Sequence, residues 1–262
     1  VDTGPVHAGF DALDSASERA VAISERNIGK THTGRQRRAL AVFSKLIVHN
    51  MAMILLTKKF FDDEERGLLD HFSLASLARS SLDAALMTMY ISEPSLNLTR
   101  WDFRRQLLFL HDTNNRSRFL KPLRKDGVEF GFFENADAVR DGIRSKLGKL
   151  GAELLYSQEK IADYQRGFHI FVDGVRGAVR EAGWDVDEFE FNQSYLSAYV
   201  HSHPVSFIRL DEHQVTFEGA SQFQVDFCHY LLEMTAGYLA SVADRMDAFS
   251  LPGEGDPNGH LE

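Results

Sequence analysis

Tyr195, Ser197, Tyr199, His201, Ser202 and His203 crowd one short segment closed by Pro204, within a chain otherwise rich in leucine and alanine. Phenols and hydroxyls donate and accept hydrogen bonds, and an imidazole near neutral pH accepts or gives a proton. On a helix over 190–202, Ser194, Ser197 and His201 share one stripe, with Tyr195, Tyr199 and Ser202 on the adjoining one. Pro204 disfavours a helical His203. The helix therefore ends there, with both imidazoles in its last turn, where the dipole favours a protonated ring. Two readings follow: a proton-transfer or ligand-binding group, or a pair that caps the helix by bonding loop carbonyls.

Arg79 and Asp83 are the charges in a helix over 71–92 made mostly of Leu, Ala, Ser and Met. Their spacing makes them face each other. A pair in so apolar a setting is costly to bury unless other polar groups bond to it, and the Tyr/Ser/His helix is the natural supplier. It is either a buried ion pair that fixes helix register or an anchor for an anionic group in a cleft between helices. Arg79, Asp83, Tyr195, Ser197, Tyr199 and His203 are the candidate binding residues.

Metal chemistry has little support. Asp226, His229 and Glu233 share a stripe, but a carboxylate-bridged site needs a second Glu-x-x-His helix, and the sequence has none. His201-x-His203 lacks a third ligand. No phosphate-binding glycine loop, nucleophile elbow or zincin motif occurs. No cofactor is expected.

Arg and His separated by four to six residues recur at Arg26/His32, Arg66/His71, Arg104/His111 and Arg105/His111. That pairing marks the metal-independent HEPN ribonucleases, although a chain with this many Arg and His produces such pairs by chance. Arg104 and His111 share a helical face. They lie in the one basic stretch with aromatic company, Arg100 to Lys125, a possible RNA contact. The plainer reading of that stretch pairs its arginines with acidic neighbours.

Helical periodicity dominates. It predicts helices over 10–27, 35–61, 71–92, 96–120, 134–150, two short ones within 158–183, then 185–202 and a long closing helix over 220–249. The connection at 205–219 is expected to include a few extended residues at Gln214 to Phe217. The expected fold is all-α, one multi-helix bundle of about seven to nine helices over 1–251, with a disordered tail over 252–262. A composition of 44% hydrophobic and 11% aromatic residues supports a substantial core. The net charge of -9 argues against general nucleic-acid affinity. Cys228 stands alone, which excludes an internal disulfide and points to a reducing cytoplasm, and no membrane role is expected.

The order of elements resembles a family of bacterial and phage-associated helical proteins. The resemblance rests on the Ser-Leu-Ala-Arg79-Ser-Ser-Leu-Asp83 helix, the Arg-rich helix after it, and the late Tyr195-x-x-x-Tyr199-x-His201-Ser-x-Pro204. Some members of that broad group are HEPN-like and neighbour defence genes. Asp83 stands where Glu is expected, and His203 is an extra imidazole. The resemblance implies fold and bacterial context more than activity. Two functions follow as expectations. One is a helical binding or regulatory protein, homo-oligomeric, with a polar inter-helix cleft. The other is a HEPN-like ribonuclease or abortive-infection toxin, with His201 or the Arg104/His111 pair as catalytic groups.

Overall fold

A computed structural model describes residues 1–62, 68–122, 132–216 and 218–251. Among these the regular structure is all helical, without strands, and helix accounts for 76% of the described residues. The helices are α1 (Gly4–Glu25), α2 (Gly34–Asp62), α3 (His71–Ile91), α4 (Leu98–Leu120), α5 (Phe132–Glu153), α6 (Gln158–Tyr164), α7 (Gly174–Ala182), α8 (Val186–Val200) and α9 (Gln222–Phe249). By contact the chain divides into two compact units, residues 1–93 with 182–262, and residues 94–181.

In the first unit α3 packs against α2, α8 and α9, while α1 lies along α9 and α2. Ala75, Ala78, Ala84 and Ala85 are all buried, which lets neighbours approach α3 on several sides. A helix apolar on most faces takes such an enclosed position. The Asp70 carboxylate caps α3 by accepting from the Ser73 amide at 2.9 Å. At the other end Arg35, itself buried, donates from Nε to the Ile91 carbonyl at 2.7 Å and also to the Glu93 carbonyl, groups left open by the ending helix. Ser221 and Gln224 form a capping box at the start of α9, and Gln224 Nε2 also donates to the Leu69 carbonyl at 3.0 Å. Gly9 lets α1 settle on α9, since a Cβ there would sit 3.0 Å from Leu232 Cβ and 3.2 Å from the His229 carbonyl.

α1 begins six residues before the expected start at Phe10, with Pro5 in its first turn, where the missing amide costs nothing. α2 is long and apolar enough by length and composition to cross a membrane, with a mean hydropathy of 1.8 over one 18-residue window, 39% of which is buried.

The second unit has its core in Phe103, Leu107, Leu110, Ile143, Leu147 and Tyr164, from α4, α5 and α6. Gly167 turns the chain after α6 at φ 75, and a Cβ there would meet Leu110 Cγ at 2.7 Å. Between α8 and α9 the expected extended run is absent over its described part, 214–216. Gln214 takes the left-handed conformation at φ 51, and the Val215 amide returns to the Leu210 carbonyl at 3.0 Å, closing a turn. The expected tail at 252–262 and most of the loop expected at 121–133 lie outside the described residues.

Candidate functional site

α3 and α8 pack against each other, as expected, and a polar contact joins them. Arg79 pairs with Asp83 one turn on, and Gln193 Nε2 donates to Asp83 Oδ1 at 3.4 Å from α8. Phe72 also meets Tyr199, at 6.3 Å between ring centroids. The two helices thus run antiparallel, with Arg79 at a level between those contacts. The partner of Asp83 across the interface is Gln193 rather than Tyr195, Ser197, Tyr199 or His201. Gln193 lies on the stripe shared by Ser197 and His201, so its position was readable from the spacing.

Arg79 is the unusual member. Its side chain is 18% exposed against 57% for Asp83. Nε and Nη1 of Arg79 are shielded from solvent, and neither has a hydrogen-bond partner among the described residues, the Asp83 contact being ionic without a directed N–H. A buried donor left unfilled costs about 1–3 kcal/mol.

The tyrosines are joined to each other, Tyr195 and Tyr199 sharing a hydrogen bond of 3.2 Å between hydroxyl oxygens. Burial is the main cause that pushes the Tyr199 phenol well above its usual range, and the Tyr195 neighbour adds to it. Tyr199 is therefore a neutral hydrogen-bonding group at physiological pH. Tyr195 and Tyr199 continue into an aromatic cluster with Phe191, Phe72, Phe223 and Phe227.

His71, at the start of α3, is enclosed by this cluster, edge-on to Phe223 at 5.8 Å. Its Nδ1 faces Gln224 Nε2 at 3.4 Å, and its buried Nε2 has no hydrogen-bond partner. Desolvation lowers its pKa first, nearby Asp70 and the Leu69 backbone raise it, and His213 lowers it further. The net direction is down, which keeps the ring neutral. The sequence signal for this residue was slight, a His directly after a capping Asp.

α8 ends at Val200, three residues before His203, and His201 is its C-cap. Ser202 adopts φ 51, and the His203 amide reaches back to the Ala198 carbonyl at 2.8 Å. The backbone rather than the imidazoles closes the helix. His201 and His203 are both exposed, with ring centroids 5.7 Å apart.

In the second unit, Arg104 is buried and ion-paired with Glu181 at 2.5 Å. The His111 ring faces the Asn115 amide at about 3.0 Å. Burial lowers the His111 pKa, helped by Arg118 and opposed by Asp112. Elsewhere on α4, Arg105 pairs with Asp102 at 2.9 Å, Arg116 with Asp112 at 3.7 Å, and Arg118 lies over the Phe119 ring. Arg124 and Lys125 lie outside the described residues. Of the other Arg/His spacings, Arg26 pairs with Asp247, and His32 Nε2 bonds Asn27 Oδ1 at 2.8 Å. Arg66 is outside the described residues.

Among the described residues no group of three His, Cys, Asp or Glu side chains is placed to hold a metal ion. Cys228 is fully buried, and desolvation raises its thiol well above the ordinary range.

The fold and the face between α3 and α8 define an all-helical protein with an arginine-centred polar patch set beside an aromatic cluster. No protein-family model, curated protein or solved structure matches the chain.

Proposed function

We propose that this is a helical binding protein whose recognition face lies between α3 and α8 and whose anchor is Arg79, taking an anionic group of the ligand. The observation that carries this reading is the buried Arg79 Nε, which has no hydrogen-bond partner among the described residues, beside an Nη1 held only by its ion pair with Asp83. A guanidinium presents its N–H groups as a planar fork that fits a carboxylate or a phosphate. An anion accepted there would recover the desolvation already incurred by those donors. On the same two helices the hydrogen-bonded Tyr195 and Tyr199 hydroxyls add polar groups, and the exposed Phe191 and Phe72 add apolar surface.

The net charge of -9 opposes long-range attraction of anions. Selection then rests on the short-range fork. This fits a binding role better than fast capture of an anionic polymer. The ribonuclease reading draws support from the neutral His111, but its arginine, Arg104, is engaged by Glu181.

A thermal-shift panel tests the proposal. Acetate, succinate, inorganic phosphate and a nucleoside monophosphate are compared at matched ionic strength, with wild type and Arg79→Gln. At least one anion should raise the wild-type melting temperature in a saturable way, with no effect on the variant. Equal responses in both proteins would reject Arg79 as the anchor.

A further inference from the structure

A separate cavity of about 430 Å³ opens in the first unit between the start of α8 and the middle of α9. Trp184, Asp185, Glu188, Glu233, Tyr238 and Ser241 line it. Its size falls in the range that holds a small ligand.

The walls have two characters. The Trp184 and Tyr238 rings meet at 4.8 Å and 76°, so they form a corner with two aromatic surfaces. Trp184 is fixed there, because its indole N–H donates to Ser241 Oγ at 3.0 Å. Gly237, at the same wall, would meet nothing within 4 Å if it carried a Cβ, so the space beside the rings is open. Opposite in character are Asp185, Glu188 and Glu233, none of which forms an ion pair with another described residue. Asp185 does accept the Glu188 amide as the helix cap, at 2.8 Å.

The α8 N-terminus adds about half a positive charge to this region. Three carboxylates outweigh it, so the cavity is net negative. Burial, with Glu188 second, pushes the Tyr238 phenol up to about 12. The ring therefore stays neutral, with an electron-rich face. Asn192 is wholly buried, its Oδ1 takes the Tyr230 hydroxyl, and its Nδ2 is left without a hydrogen-bond partner among the described residues.

An anion is repelled from such a cavity, and a neutral apolar ligand leaves its carboxylates uncompensated. A cation with an apolar surface satisfies both walls, since aromatic faces and carboxylates attract it together. We infer that the cavity between Trp184 and Tyr238 binds an alkylammonium group, methylated or primary, carried either by a free amine or by a lysine-derived side chain. The site is distinct from the Arg79 face and opposite to it in charge, so either one stands or falls alone.

Isothermal titration of the full chain tests this with tetramethylammonium, choline, spermidine and a short peptide bearing trimethyl-lysine. 3,3-Dimethylbutanol, the neutral isostere of choline, is the control, and sodium chloride keeps ionic strength equal. At least one ammonium should bind saturably, and the isostere should not. Glu188→Gln and Glu233→Gln, both at exposed positions, should each weaken binding about fivefold or more, the loss expected for one nearby carboxylate. Tighter binding of the free amines assigns a small-molecule source, and tighter binding of the peptide assigns a protein side chain. Equal binding of choline and its isostere, unchanged affinity in both variants, or no binding by any ammonium overturns the inference.

Discussion

Arg79 and Asp83 form an ion pair along α3 in which the cation is mostly enclosed, 18% exposed, and the anion mostly solvated, 57% exposed. The asymmetry makes their contributions unequal. Asp83 is screened by water, so Asp83→Ala should cost no more than about 1 kcal/mol. Arg79→Met removes a buried Nε donor without a partner, together with an ion pair to a mostly solvated carboxylate, and should leave stability unchanged or raise it by about 1 kcal/mol. Denaturant unfolding of the two variants checks both values. A large loss on Arg79→Met would mean that the arginine serves the fold rather than a ligand.

His71 sets a pH dependence. Its folded pKa is depressed from 6.5, so between that value and the lower folded value the unfolded chain binds the extra proton. This contribution is therefore fully present above about pH 6.5 and is lost as the pH falls through the folded value. Melting temperature against pH should drop on the acid side of neutrality. His71→Gln should flatten that limb, and an identical slope in the variant would assign the acid sensitivity elsewhere.

Cys228 is wholly buried with its thiol held protonated. A thiol reagent should leave the native protein unmodified and react fully in denaturant. Fast labelling of the native chain would contradict the packing of α9.

The Arg104–Glu181 pair offers a test of the second unit and of the ribonuclease reading. Glu181→Gln leaves a buried guanidinium with a weaker partner and should destabilise by about 3 kcal/mol. Incubation of the wild type with single-stranded and structured RNA in chelator should leave the RNA intact. Cleavage that disappears in His111→Ala or His201→Ala would instead restore the catalytic reading.

Much of the helix order was legible because apolar periodicity and caps agree, as at α3 with Asp70 and at α9 with Ser221. The start of α1 was hidden by Gly4 and Pro5, which look like a loop although proline suits a first helical turn. The division after Glu93 left no trace in composition, because Pro94 to Asn97 is too short to resemble a linker. At the site, the expected packing of α3 on α8 is found, with Asp83 reached from α8 by Gln193 rather than by the tyrosines, Ser197 or His201. Gln193 was missed although it shares the stripe of Ser197 and His201. The Trp184–Tyr238 cavity was not readable, since only packing brings the start of α8 beside the middle of α9.

The most direct test of the account is the Nε–H resonance of Arg79 in a nitrogen-edited spectrum, assigned by its loss in Arg79→Lys. With the anion that gives the largest thermal shift, or with inorganic phosphate, that resonance should move saturably, and it should move further than the other arginine Nε–H signals. If it stays in place while exposed arginines shift in proportion to added salt, Arg79 holds no ligand and the proposed recognition face is wrong.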